Sequence, residues 1–181
     1  ADRLRRAVRE SPKSANEVPL LMSSQSRELQ RTIERIVLGQ REVTDRLGNR
    51  DLQGAKRKQQ LIEAITLKAA KAWPLEQMVL NLSGYHHKNA YMLKHWAAIQ
   101  AGRPPKDRLL ERAERFFFEA LFVNPNDYSA LNGLGSILIF ERDLDAAEFF
   151  IRQAIALAGQ HGIDYSEAKQ DLAMILAFKQ G

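Results

Sequence analysis

Two pairs of alanines in the second half of the chain are separated by the same interval. Ala113 and Ala147 are 34 residues apart, and Ala120 and Ala154 repeat that distance. Small residues at fixed offsets with a period of this length are typical of a repeated helix–turn–helix unit, because each unit packs against its neighbour in the same way. This interval therefore predicts stacked helices over residues 112–158.

Apolar periodicity places two helices inside this segment, about residues 128–141 and about residues 144–158. The first helix carries apolar residues at helical spacing, with Gly135 among them. A glycine costs about 1 kcal/mol relative to alanine in a helix interior, so we expect the close approach of a second helix to compensate there. Asp143, directly before the second helix, is the expected N-cap.

Residues 112–158 resemble the tetratricopeptide repeat (TPR) family, over about a quarter of the chain. The similarity rests on small residues, an aromatic residue and a proline in the second helix of a repeat, and on Leu-Gly in the first. The matching positions are Ala113, Phe117, Ala120, Pro125, Leu134 and Gly135. The resemblance implies an all-α fold of stacked antiparallel helical hairpins, a TPR-like right-handed solenoid that serves as a protein-binding scaffold. An ordinary helical bundle, in which the alanines only pack, is the alternative.

Further helices are predicted on both sides of this segment. They cover residues 55–72, a helix that opens at Trp73-Pro74 and ends near residues 85–88, residues 90–101, residues 106–123 and a final helix after residue 164. Residues 90–101 are the favoured partner of 106–123, over a helix around Gly84, since both choices cannot fit regular repeats. Asp164 and Glu167 form a predicted capping box for the final helix, which would cap the stacked array.

Residues 23–47 predict one long helix that precedes the repeats. Apolar residues recur in it with alternating spacings of four and three residues, and Gln40 occupies one seam position. The apolar members are Leu29, Ile33, Ile36, Val43 and Leu47. The seam predicts either a homodimer through residues 23–47, in which a parallel copy would pair with Gln40, or a helix that lies on the repeats. We accordingly divide the chain into a basic N-terminal segment, residues 1–54, and a repeat domain, residues 55–181.

Positive charge is concentrated in the first part of the chain. Residues 1–72 hold 16 Lys or Arg and 9 Asp or Glu, whereas residues 73–181 hold 11 and 13. A basic segment can contact nucleic acid or an acidic partner. A nucleic-acid-binding helical protein that uses its basic first third is therefore the second functional hypothesis, from a different class than the protein-binding scaffold.

The sequence offers no persuasive catalytic, cofactor or metal site. His86, His87 and His95 are close in sequence, but the chain has no cysteine and no further donor at a spacing typical of zinc sites. No apolar run approaches the roughly 20 residues of a membrane span. We therefore expect a protein that is not an enzyme, without a cofactor, in the cytoplasm.

The predicted function is recognition of a peptide or partner helix in a groove that the first helices of the hairpins line. We expect the contacts to come from residues that lie off the core stripes of these helices. The candidate contact residues are Tyr91, Lys94, His95, Ser129, Asn132, Ser136 and Ile139.

Overall fold

A computed structural model describes residues 24–180, with side-chain surroundings from Ser26 onward. Within that range the chain is all-helical, with turns between the helices. The helices are α1 (Ser24–Gly48), α2 (Leu52–Ala72), α3 (Gln77–Gln100), α4 (Arg108–Val123), α5 (Tyr128–Glu141), α6 (Leu144–Gln160) and α7 (Ser166–Gln180). The first 23 residues of the predicted basic segment 1–54 lie outside the described residues.

Acidic residues begin five of these helices. Each places a carboxylate oxygen on a free backbone N–H of the first turn, where the positive end of the helix dipole also favours a negative charge. The caps are Asp51, Glu76, Asp107, Asp127 and Asp143. The prediction for Asp143 is confirmed, since its side chain accepts a hydrogen bond from the Ala146 N–H at 3.1 Å.

Asp164 does not form the predicted capping box of the last helix. Helix α7 begins at Ser166, two residues after Asp164. The Asp164 carboxylate accepts a hydrogen bond from the Lys169 Nζ at 2.6 Å. Asp164 is thus tied to an exposed lysine rather than to the first backbone N–H groups of the helix.

The helices pack in order along the chain. Each helix contacts the next one, and α1, α3, α5 and α7 also contact one another in succession. Short connections of this kind join antiparallel neighbours. The odd-numbered helices therefore lie side by side in one layer, and α2, α4 and α6 pack against them as a second layer.

The alanines that are 34 residues apart lie at helix–helix contacts. Ala113, Ala120, Ala147 and Ala154 are all completely buried. Ala113 and Ala120 belong to the core cluster around Phe117, and Ala147 packs with the last helix. Small side chains are needed at these points because a larger one would hold two helices apart.

The ring of Phe117, on α4, lies against the backbones of two other helices. A Cβ atom placed on Gly84 of α3 would be 2.6 Å from the ring, and one placed on Gly133 of α5 would approach it even more closely. Such distances are far inside van der Waals contact. The two glycines are therefore what allow α3 and α5 to approach the same aromatic ring.

Helix α1 lies on the other helices through its predicted seam. Ile36 and Val43 are completely buried. Ile36 packs with residues of α2 and α3 that include Ala69 and Val79, and Val43 packs with Ala55 of α2. The seam is thus covered within the chain. Of the two alternatives, the structure shows the helix that lies on the rest of the chain. A homodimer through this seam would first have to separate α1 from α2 and α3.

Gln40, the polar residue of the seam, also has a partner inside the chain. Its Nε2 donates a hydrogen bond of 2.7 Å to the Leu82 carbonyl oxygen of α3. A second copy is not needed to satisfy this amide. The proposed boundary at residue 54 falls within a shared core cluster, because Val43 and Leu47 pack with Ala55 and Leu93 on its other side.

One pair of predicted helices is a single helix. The structure joins the helix predicted to open at Pro74 and the helix of residues 90–101 into α3, with non-helical backbone angles only at His95. The predicted start is wrong, since α3 begins at Gln77 and Glu76 is its N-cap. The polar run at residues 86–88 does not end the helix, because tertiary hydrogen bonds stabilise it there: Gln59 of α2 donates to the His86 carbonyl at 2.8 Å. Gly84 and residues 90–100 thus belong to the same helix, which packs against α4, so the choice between them made from the sequence does not arise.

We predict that Gly133→Ala destabilises the protein by about 1–3 kcal/mol, because the new methyl group would overlap the Phe117 ring. Phe117→Leu in the same chain should relieve part of this cost, so that the two changes are not additive. Urea unfolding of the wild type, both single variants and the double variant measures the coupling. Gly159→Ala is the control, since a Cβ there has no atom within 4 Å. Additive effects would show that the ring does not lie on Gly133.

We predict that Ile36→Asp destabilises the chain by on the order of 4 kcal/mol, because it buries an unpaired carboxylate in a core that α1, α2 and α3 share. The neighbouring Leu38 is 65% exposed, so Leu38→Asp is the matched control and should change stability little. Circular dichroism during thermal unfolding gives the stability, and light scattering gives the mass. A folded, monomeric Ile36→Asp variant of a dimeric wild type would instead place the seam in a dimer.

Candidate functional site

Three adjoining recesses follow the layer of odd-numbered helices. Their volumes are about 420, 430 and 420 Å³, and Lys88 of α3 lines all three. The side chains that line the recesses come from helices that include α1, α3, α5 and α7. We call the three recesses together the Lys88 groove.

The polar recess of the groove lies among all four helices of the layer. Its centre is a set of hydroxyl and amide groups from α3 and α5. Tyr85 donates from its hydroxyl to the Ser129 carbonyl at 2.9 Å. Asn132 is only 4% exposed, and its Oδ1 is buried without a hydrogen-bond partner among the described residues. Burial raises the pKa of Tyr85 and of Tyr165, which lines the same recess, so both hydroxyls keep their protons.

The apolar recess lies at the other end of the groove. Its lining combines a tryptophan, two phenylalanines and two methionines with aliphatic side chains. The apolar members are Met92, Trp96, Ile99, Pro104, Ile139, Phe140, Met174 and Phe178. Met174 and Phe178, both on α7, are 40% and 48% exposed. This part of the groove can therefore remove a bulky apolar group from water, which stabilises a complex by about 25 cal/mol per Å² of apolar surface.

Lys88 joins these two environments. Its side chain is half-buried, and its Nζ lies 4.8 Å from the centroid of the Tyr85 ring. Burial lowers the pKa of the Lys88 ammonium, and the carboxylates of Asp171 and Glu167 partly offset this effect. Among the described residues, no carboxylate oxygen lies within 4.0 Å of it. A half-buried cation without a close anion is costly, so this ammonium is available to an anion from outside.

Four of the predicted contact residues line the groove. Ser129 and Asn132 belong to the polar recess, and Ser136 and Ile139 to the apolar recess. Two of them are less accessible to a partner than the sequence predicted. Ser136 donates to the Asp171 Oδ2 at 2.8 Å, and Ile139 is only 8% exposed and packs against α7.

The other three predicted residues lie away from the groove and hold the connection between α3 and α4. Tyr91 is completely buried and donates to the Pro105 carbonyl at 2.8 Å. Lys94 Nζ and His95 Nε2 lie 2.6 and 2.8 Å from the Asp107 carboxylate. Lys94, the N-cap N–H group and His95 together hold the pKa of Asp107 well below its usual range. In the structure, Tyr91, Lys94 and His95 therefore contact the connection between α3 and α4.

Sequence reasoning missed the α3 residues that line the groove. Tyr85, Lys88, Met92 and Trp96 recur at spacings of three and four residues, which is the signal of one helix face. This signal was lost because the predicted helices were split at residues 85–90. The split shifted the expected contact face to Tyr91 and Lys94, on a different side of the same helix.

The paired histidines lie between helices rather than in a site. His86 and His87 are 4% and 8% exposed. Gln59 Nε2 lies 2.9 Å from the His86 Nδ1, and His87 Nδ1 lies 2.8 Å from the Ser83 carbonyl. Burial, with a smaller contribution from His87, lowers the pKa of His86 to about 4. Within residues 24–180, no group of three His, Asp or Glu side chains is arranged to hold a metal ion.

Comparison of the chain with models of known families, with curated proteins and with solved structures gave no match. Among the helices that the structure describes, none combines the length and the apolar character that crossing a bilayer requires.

We predict that the free energy of unfolding falls as the pH is lowered from 6.5 towards 4. The unfolded chain binds a proton at His86 near pH 6.5, whereas the folded chain does so only near pH 4. Stability should therefore decrease by up to about 1.4 kcal/mol per pH unit within this window. Urea unfolding at several pH values measures the slope. His86→Gln should flatten it, and the same change at the exposed His161 should not. An equal slope for wild type and His86→Gln would contradict the buried neutral imidazole.

Proposed function

We propose that this chain is a protein–protein interaction scaffold of the TPR-like kind, which binds a peptide or a partner helix in the Lys88 groove. The observation that carries the proposal is the half-buried Lys88 ammonium, which lines three recesses and has no carboxylate oxygen within 4.0 Å among the described residues. The succession of contacts among α1, α3, α5 and α7 supports a stack of hairpins whose first helices line the groove.

The chemistry of the groove defines the partner. A carboxylate placed beside Lys88 would supply the missing counter-charge, and a charge-assisted hydrogen bond there is stronger than a neutral one. The apolar recess adjoins Lys88 and suits a large apolar side chain. The partner is therefore a peptide or helix in which an acidic residue lies near bulky apolar residues.

Asn132 adds a second polar contact. Asn132 lines the polar recess and its Oδ1 has no hydrogen-bond partner among the described residues, so a backbone N–H group of a peptide that reaches this atom would satisfy it. An acceptor and a cation in one recess favour a polypeptide, which brings both N–H groups and carboxylates.

We predict that peptides selected from a displayed random library for binding to the full chain contain Asp or Glu close to aromatic or large aliphatic residues. For such a peptide, Lys88→Met should weaken binding by about 1.5–3 kcal/mol in calorimetric titration, because it removes a charge-assisted hydrogen bond. Lys106→Met is the matched control, since Lys106 is exposed and does not line the groove. Equal affinities for the wild type and Lys88→Met would remove the groove as the binding site.

A second pair of variants separates the groove from the neighbouring loop contact. Asn132→Ala should weaken peptide binding, whereas Lys94→Ala should leave it unchanged, because Lys94 contacts Asp107 and not the groove. The same titration measures both. A loss of affinity in Lys94→Ala alone would place the peptide on the side of α3 that the sequence favoured.

A further inference from the structure

A second recess, of about 810 Å³, lies between the first half of α1 and the second half of α2. It shares no lining residue with the Lys88 groove. Its lining residues include three arginines of α1, Lys68 of α2 and Trp73, which follows α2. We call this recess the arginine cleft.

Four of the five charged residues that line the cleft are cations, and the three arginines are regularly spaced. Arg27, Arg31 and Arg35 recur every four residues, so they follow one side of α1 at steps of about 6 Å along the helix axis. Lys68 faces the same recess from the other helix. Glu28 is the only carboxylate in the lining. Both helices that enclose the recess therefore contribute positive charge to it.

The other end of the same helix pair shows how such charges are neutralised within this chain. Near the end of α1, Arg46 forms ion pairs with Glu42 and Asp51, and Lys58 of α2 forms a third with Glu42. In the arginine cleft, none of the four cations has a carboxylate oxygen within 4.0 Å among the described residues. Within the described residues, no ion pair therefore neutralises the positive charge of this end.

Trp73 gives the cleft an aromatic surface. The residue is half-buried, so part of its indole reaches the recess while the rest packs with Ile36 and Val79. A groove with cations along both helices and an aromatic ring at one end is the combination that holds a single nucleic-acid strand: the cations contact phosphates, and a base stacks on the ring.

We propose that the arginine cleft binds a single-stranded polynucleotide, with successive phosphates on Arg27, Arg31, Arg35 and Lys68 and one base stacked on Trp73. This is a binding site beyond the protein-binding groove, and it does not depend on that proposal. The four cations are exposed along the recess, where the phosphates of one flexible strand lying between the two helices can reach them. A membrane surface would take up an apolar side chain that projects outward, whereas the accessible part of Trp73 lines the recess and the remainder packs against the core.

The test uses the full chain and fluorescently labelled 20-nucleotide strands of deoxythymidine and of uridine, followed by fluorescence anisotropy over a range of salt concentrations. Four phosphate contacts predict that log K falls with log salt with a slope of about −3 from the cleft alone. The triple variant Arg27→Gln, Arg31→Gln, Arg35→Gln should reduce the steepness by about 2. The triple variant Arg103→Gln, Arg108→Gln, Arg112→Gln is the control, since it removes the same charge from exposed arginines elsewhere.

The stacked base has its own measurement. In a Trp96→Phe background Trp73 is the only tryptophan, and its fluorescence should be quenched when a strand binds. Trp73→Leu should lower the affinity by roughly tenfold and leave the salt slope unchanged, because it removes stacking and no charge. Thermal unfolding of each variant tests whether the fold is retained.

Three results would overturn the proposal. Equal affinities and slopes for the two triple variants would show that net charge and not the cleft attracts the strand. Duplex DNA bound as tightly as the single strands would exclude a single-strand site. Binding to vesicles that contain an anionic phospholipid, with no binding of either oligonucleotide, would assign the positive charge to a lipid surface.

Discussion

The contact between the Phe117 ring and two glycine backbones sets the distance between three helices. Because Gly84 and Gly133 have no side chain, α3 and α5 both approach the ring, which lies on α4. The same approach brings the Asn81 amide of α3 within 2.6 Å of Asp127, the N-cap of α5. It also brings the groove-lining faces of α3 and α5 side by side. The groove therefore depends on a core contact that none of its own polar residues makes.

Helix α3 differs from an ordinary amphipathic helix because it is surrounded on several sides. His86 and His87 are buried, where their polar groups lie near Gln59 and the Ser83 carbonyl. Lys88, one residue further, lines the groove. Consecutive polar residues of α3 therefore have different environments. The two histidines are buried and hydrogen-bonded, whereas the lysine after them is accessible to solvent. A helix of this kind has no single apolar stripe. The role of each of its residues therefore follows from the neighbours that the residue contacts, and not from hydrophobic periodicity.

The parts of the fold that the sequence predicted are those in which local pattern and tertiary packing agree. The alanine interval, the helix of residues 128–141 and the Asp143 cap are such cases. The extent of α3 could not be predicted, because the hydrogen bond from Gln59 that supports its middle joins residues 27 positions apart. The seam of α1 was ambiguous for a related reason: a heptad pattern shows that a helix has a partner, but not whether the partner is in the same chain.

Helix α1 contributes to both proposed sites, and its own charge pattern keeps them distinct. Its buried seam positions the whole helix on α2 and α3, so the two ends are held in fixed places. At the end near residue 46, Glu42 and Asp51 neutralise Arg46, and the lining of the adjoining polar recess also contains Asp45, Glu167 and Asp171. A polyanion is repelled by those carboxylates, whereas the arginine cleft has only Glu28 to oppose it. In the proposed Lys88 groove, an acidic peptide would meet one half-buried cation next to apolar surface. Affinity there would depend more on close packing than on total charge. The two surfaces therefore select ligands by different physical terms, long-range attraction in the cleft and short-range packing in the groove.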